Sequence, residues 1–206
     1  GIGCRDGNLG EERKRRFIQV LTSNTAQLAG MAIPANYLAD TLPAEPNGSI
    51  EHVVFVIHGI RDDGYWTRKI AQKNHETAAN AGKKFHCLTP SYGYFPMLPF
   101  LLPWTRRQKV EWLMDEYVGA RSRFPNAEFS YVGHSNGTYL VARALDDYPA
   151  ACFHNVLFAG SVVRRNYQWD RVQNVANMVA TGDWVVAIFP QGLEPLKKFD
   201  LGGAGF

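Results

Sequence analysis

The stretch 128–145 limits the fold more than any other, because it places one serine between an apolar strand and an apolar helix. Residues 128–132 are β-prone, residues 138–145 favour a helix, and Gly133-His134-Ser135-Asn136-Gly137 between them reads Gly-x-Ser-x-Gly. A chain that passes from strand to helix within so few residues brings both glycine positions together, and glycine leaves room there. The pattern predicts a tight turn with Ser135 at its tip.

A serine in such a turn can act as a nucleophile, because its hydroxyl points away from the sheet. The backbone N–H of Asn136 opens the helix and faces the same space, where it can stabilise an oxyanion. His134 is the variable position inside the motif and is a candidate for substrate contact. The alternative interpretation is that Ser135 only caps the helix.

A second apolar segment supplies the remaining donor of the predicted site. Residues 51–57 form a continuous β-branched run, typical of a strand buried on both faces of a parallel sheet, and His58-Gly59-Ile60 follows it. The N–H of Ile60 is the best candidate for the second oxyanion donor, and Gly59 lets the backbone approach a substrate carbonyl. We expect His58 to fix this loop by hydrogen bonds rather than to act in catalysis.

The order of the remaining segments predicts an α/β fold. Helices are expected over 65–81 and around Val110 to Phe124, the second opening on a capping-box pattern at Thr105, and short strands are expected at 84–89, 155–159 and 175–180. This alternation predicts a mostly parallel sheet flanked by helices on both faces, a three-layer sandwich. The carboxyl ends of parallel strands meet at one edge, where ligand chemistry gathers.

The segment 92–104 is strongly apolar and broken by prolines, so it fits neither a long helix nor a central strand. It could line a pocket or form a lid over Ser135, pack against the rest of the protein, or touch a membrane. Tyr94 and Phe95 are its candidates for substrate contact.

Composition limits the class of protein. A chain of 206 residues with 46% apolar content predicts a single domain over 1–206, with an N-terminal helix (11–28) and a loop in the first fifty residues. The basic residues are dispersed, apart from the run 13–16, which is a solvated helix face or a contact to an anionic membrane; nothing indicates nucleic-acid binding. Three scattered cysteines predict no disulfide framework, no metal site and a reducing, cytoplasmic compartment. No cofactor is expected.

These motifs together resemble the α/β-hydrolase family. The apolar strand into His58-Gly59, the Gly133–Gly137 turn and the later Thr181-Gly-Asp-Trp-Val-Val186 stand in the family's order, over about residues 51 to 190. The resemblance implies that Ser135 is the nucleophile, that the amides of Ile60 and Asn136 form the oxyanion hole, and that Asp183 is the triad acid. Asp183 also follows a predicted strand at the serine's edge; its alternative is a turn residue or helix cap.

The implied activity is hydrolysis of an ester or related acyl bond through an acyl-enzyme, on a small-molecule or lipid-like substrate. The family's base is a histidine after the acid, yet all six histidines of this sequence precede Asp183. We expect the chain to be a fragment that stops before the histidine loop, near its glycine-rich stretch 201–206. The alternatives are acyl transfer from the same site and a non-catalytic binding or membrane-associated scaffold.

Overall fold

The computed structural model describes residues 50–179 and 201–202. All of them belong to one compact unit that spans 40–206. Four predictions lie outside the described residues: the N-terminal helix, the loop that follows it, the placement of Asp183, and most of the glycine-rich stretch that begins at Leu201.

The described chain alternates strands and helices as far as its fourth strand, as predicted. The strands are β1 (His52–Ile57), β2 (Phe85–Leu88), β3 (Glu128–His134), β4 (Phe153–Ala159) and β5 (Val172–Met178). The helices are α1 (Tyr65–Asn80), α2 (Met97–Leu101), α3 (Pro103–Arg123) and α4 (Asn136–Asp147). The α/β fold with a parallel sheet is therefore confirmed.

All described strand pairs are parallel, in the order β2-β1-β3-β4-β5. The chain moves from β1 outward to β2, then returns past β1 to β3 and continues to β5. Because parallel crossovers are right-handed, this reversal puts α1 on one face of the sheet and α3 and α4 on the other. The carboxyl ends of β1 and β3 flank the reversal point, where open α/β sheets bind their ligands.

Alternate residues of β1 divide between the two faces. Val53, Phe55 and Ile57 join the large core under α3 and α4, while Val54 and Val56 pack with Ala71 of α1. The large core is rich in aromatic contacts, such as the 5.9 Å separation between the rings of Phe55 and Phe129. Burial of β1 on both faces explains its unbroken apolar sequence.

A buried arginine joins the proline-broken segment to the helix that follows Ser135. Arg106 of α3 is fully buried and donates a hydrogen bond of 2.7 Å to the carbonyl of Phe100. Its guanidinium also lies 4.8 Å from the ring centre of Tyr139 in α4. Arg106 thereby links segment 92–104 to α4.

The start of α3 differs from its prediction. The helix begins at Pro103, which occupies the first turn, and Leu102 is the N-cap. Thr105 is not the cap; its hydroxyl donates to the carbonyls of Pro99 and Leu102. Proline suits the first helical turn because its missing N–H would have no partner there, and this local preference outweighs the capping-box pattern two residues later.

Candidate functional site

Ser135 is the single residue between β3 and α4, and its backbone is strained. Its φ of 50° and ψ of −117° lie outside the regions that non-glycine residues ordinarily occupy. The residue is partly exposed. Such a conformation persists only where the surrounding structure holds the residue in place. Strained residues of this kind are concentrated at functional sites.

Two glycines make the strained turn sterically feasible. A Cβ atom at Gly133 would lie 3.1 Å from the carbonyl carbon of Gly137. A Cβ at Gly137 would lie 2.7 Å from the carbonyl oxygen of Ile57 in the neighbouring strand. The two glycines of the turn therefore lie against each other, and Gly137 lies against β1. This close packing is the reason for glycine that the sequence predicted.

The loop after β1 passes directly beside Ser135. Ile57 pairs with Gly133, so Gly59 stands level with Ser135, and a Cβ at Gly59 would lie only 2.8 Å from that of Ser135. Gly59 is buried and Ile60 partly buried. Within the described part of the chain, the N–H groups of Ile60 and Asn136 donate to no protein acceptor. Both remain available for an anionic ligand oxygen.

His58 has a structural role. Its Nδ1 lies 2.9 Å from the carbonyl oxygen of Gly59 and therefore donates, which leaves Nε2 to accept from the Ser91 hydroxyl at 2.9 Å. The ring is fully buried and stacks on Tyr92 with 4.3 Å between ring centres. Burial lowers the pKa of His58, although the Gly59 hydrogen bond and nearby carboxylates oppose this. A neutral ring with both nitrogens bonded fixes the loop.

None of the described side chains forms a hydrogen bond with Ser135 Oγ. All six histidines lie among the described residues. The ring of His134 packs nearly perpendicular to that of Trp66, with 5.8 Å between ring centres. His154 lies near the start of β4, at the opposite end of the sheet. The nucleophile candidate and the two amides therefore come together without a histidine base. The triad position predicted for Asp183 stays a prediction, because that residue is not described.

The two substrate candidates of the proline-broken segment have different environments. Tyr94 is 37% exposed, whereas Phe95 is only 4% exposed and packs edge-on against Tyr92 and Phe100. Phe95 nevertheless reaches the site through its main chain, because its carbonyl accepts a hydrogen bond of 3.0 Å from the N–H of Arg61.

Ser91 and Tyr92 also contribute to the site, although the sequence pattern did not predict a role for them. Both follow β2, whose carboxyl end lies at the same edge of the sheet as Ser135. The position of these polar side chains after a predicted strand could have marked them as neighbours of the site.

The described residues contain no group of three or more histidine, cysteine or acidic side chains that could hold a metal ion. None of the helices in the described ranges is long and apolar enough to span a membrane. Comparison with protein-family models and with curated proteins gave no match to this chain.

Proposed function

We propose that this protein is a serine hydrolase of the α/β-hydrolase type that cleaves an ester or related acyl bond. The single observation that carries the proposal is the strained backbone of Ser135 beside two amides, those of Ile60 and Asn136, that donate to no acceptor in the described residues. In this reaction the Ser135 oxygen attacks a carbonyl carbon, the two amides bind the resulting oxyanion, and the leaving group departs. Water then releases the acid from the acyl-enzyme.

The proposal needs a base that removes the proton of Ser135, and none of the described side chains forms a hydrogen bond with that hydroxyl. In this arrangement the described residues hold no base within hydrogen-bond reach of Ser135 Oγ. Leu201 and Gly202 lie near the same edge of the sheet as Ser135, since Leu201 is buried in the core and the N–H of Gly202 donates to the carbonyl of Val162 at 2.8 Å. Val162 in turn contacts Thr138 in the first turn of α4, so the chain returns to the serine's edge.

A fluorophosphonate probe tests the nucleophile directly. We expect weak labelling of the protein alone, and stronger labelling when free imidazole supplies a base in solution. Mass spectrometry of peptides should locate the adduct on Ser135, and the variant Ser135→Ala should lose it.

Ser122→Ala is the matched control, because Ser122 is an exposed serine on α3, in an ordinary helical backbone. Its labelling should equal that of the unaltered chain. An adduct that persists in Ser135→Ala, or no adduct at Ser135 even with imidazole, would contradict the proposal.

A second candidate function is non-catalytic binding, which the lack of a hydrogen bond from any described side chain to Ser135 Oγ favours. In that case the site would hold an acyl-bearing or other anionic ligand at the same two amides without cleaving it. Labelling of Ser135 by the probe distinguishes the two functions, because a binding site without an activated serine would not react.

A further inference from the structure

The hydroxyl of Tyr92 is the centre of a buried hydrogen-bond network behind the two candidate oxyanion donors. Tyr92 is only 8% exposed, and its oxygen lies 2.9 Å from the carbonyl oxygen of His58 and 2.8 Å from that of Gly59. Because carbonyl oxygens only accept, the hydroxyl proton is shared between them. The same oxygen accepts a hydrogen bond of 3.2 Å from the side-chain amide of Asn136.

The contact with Gly59 determines the direction of one donor. The carbonyl of Gly59 and the N–H of Ile60 belong to the same peptide group, which is planar with its C=O and N–H pointing in opposite directions. A hydroxyl that holds the carbonyl oxygen on the buried side therefore turns the N–H of Ile60 away from Tyr92. Hydrogen bonds to the carbonyl also polarise the peptide, which strengthens its N–H as a donor.

The contact with Asn136 reaches the other donor. Asn136 is fully buried, and its backbone N–H is the candidate donor next to Ser135. The side-chain amide of Asn136 donates to the Tyr92 hydroxyl, and the same hydroxyl donates to the carbonyl of Gly59. One oxygen atom is therefore hydrogen-bonded both to the residue that carries the Asn136 donor and to the peptide group that carries the Ile60 donor. The distance between the two backbone amides therefore depends on the side chain of Tyr92.

Two further contacts hold the same loop from the segment that contains Tyr92. Ser91 binds Nε2 of His58, whose Nδ1 donates to the carbonyl of Gly59. On the other side of Ile60, the N–H of Arg61 donates to the carbonyl of Phe95. Residues 91–95 thus bind the loop both before and after the Ile60 amide, and the Tyr92 hydroxyl is the one group of this segment that also bonds Asn136.

We infer that Tyr92 is a positioning residue of the oxyanion hole, which fixes the Gly59–Ile60 peptide and the Asn136 amide in one arrangement. This inference rests on the proposed function, because it assigns a purpose to the two amides. The hydroxyl does not touch the reacting atoms; it acts through the two donors. Burial raises the pKa of Tyr92, so the hydroxyl keeps its proton at neutral pH.

The test compares Tyr92→Phe with Tyr117→Phe. Both substitutions remove a buried tyrosine hydroxyl with several backbone contacts, but that of Tyr117 contacts Ala150 and Cys152 at the far end of the sheet. The first readout is the rate of fluorophosphonate addition to Ser135 in imidazole. We expect Tyr92→Phe to lower it by about tenfold or more, as misplacing an oxyanion donor does, and Tyr117→Phe to leave it unchanged.

The second readout is the NMR resonance of the Gly59 carbonyl carbon and of the Ile60 amide, measured without any probe. Both should move in Tyr92→Phe and stay in place in Tyr117→Phe, whatever the thermal stabilities of the two variants. If Ser135 never reacts in the unaltered chain while these resonances move, the proposed function fails and the positioning contact stands. Unmoved Gly59 and Ile60 resonances in a folded Tyr92→Phe variant would overturn the inference, and so would equal probe rates in the two variants when Ser135 of the unaltered chain reacts.

Discussion

At the scale of single residues, the site depends on a serine in a costly conformation. A non-glycine residue in a sparsely populated backbone region costs of order 1–3 kcal/mol. The turn persists because its flanks are fixed: the N–H of Ser135 donates to the carbonyl of Ala159, and the carbonyl of Gly137 accepts a hydrogen bond of 2.7 Å from the buried hydroxyl of Tyr131. These two contacts tie the turn to β4 and back to its own strand.

The close contact between this turn and β1 predicts the effect of a single methyl group. Gly137→Ala places a Cβ against the carbonyl of Ile57, and backbone atoms cannot move aside cheaply. We expect the free energy of unfolding to fall by about 1–3 kcal/mol, as overpacking does. Chemical denaturation of the variant and of the unaltered chain measures this difference in the free energy of unfolding.

Gly119→Ala is the matched control for this prediction. Gly119 lies inside α3, and nothing lies within 4 Å of the Cβ that alanine would add. Alanine should raise the free energy of unfolding there by about 0.5–1 kcal/mol, since glycine is unfavourable in a helix interior. A Gly137→Ala variant as stable as Gly119→Ala would contradict the packing described for the turn.

The lowered pKa of His58 predicts how the free energy of unfolding depends on pH. Because burial lowers its folded pKa below the ordinary value of about 6.5, the unfolded chain binds more protons than the folded one just below that pH. Stability should therefore fall as pH drops below about 6.5, by at most about 1.4 kcal/mol per pH unit from this group. The carboxylates of Asp62 and Asp63 reduce the shift and the ring of His134 adds to it.

An NMR titration of the imidazole rings measures this directly. Burial also lowers the pKa of His75, so unfolding should be compared in His58→Asn and His75→Asn, and the former should lose more of the acid dependence. A titration midpoint of His58 at or above 6.5 would be the contrary result.

At the scale of elements, the proline-broken segment combines two surfaces. Its buried side, with Tyr92, Phe95 and Phe100, belongs to the core, while Leu98 is 76% and Trp104 62% exposed. No acidic residue occurs between 91 and 110, and Arg107 is exposed nearby. Exposed tryptophan and leucine beside basic groups are typical of segments that contact anionic membrane surfaces.

The membrane interpretation of this segment makes a measurable prediction. The unaltered chain should sediment with vesicles rich in phosphatidylserine. Leu98→Asp should weaken this binding by about tenfold or more, since it replaces an exposed leucine that would enter the lipid with a charged side chain. Val118→Asp is the control, because Val118 is a 60% exposed apolar residue elsewhere on α3. Equal binding of the two variants would argue against lipid contact through this segment.

At the scale of the whole molecule, local sequence pattern predicted the sheet well. The β-branched run of β1, and the strand and helix on either side of Ser135, can be predicted from neighbouring residues alone. The parallel arrangement of the strands follows from their alternation with helices. Burial on both faces of β1 was likewise evident from its unbroken apolar sequence.

The contacts that support the site could not be predicted in this way. Tyr92 and Asn136 are 44 residues apart in the sequence, and no local pattern predicts the hydrogen bond between them. The fixed tautomer of His58 depends on Ser91, 33 residues away. The sequence therefore predicted that Ser135 and the two amides come together, but not which groups hold them in place.

The crystal structure of the chain after phosphonylation tests the central claim most directly. We expect the phosphorus on Ser135 Oγ, with its free oxygen about 2.7–3.1 Å from the backbone nitrogens of both Ile60 and Asn136, as an oxyanion hole requires. A phosphonyl oxygen that points to solvent, or a phosphorus on another residue, would contradict the account.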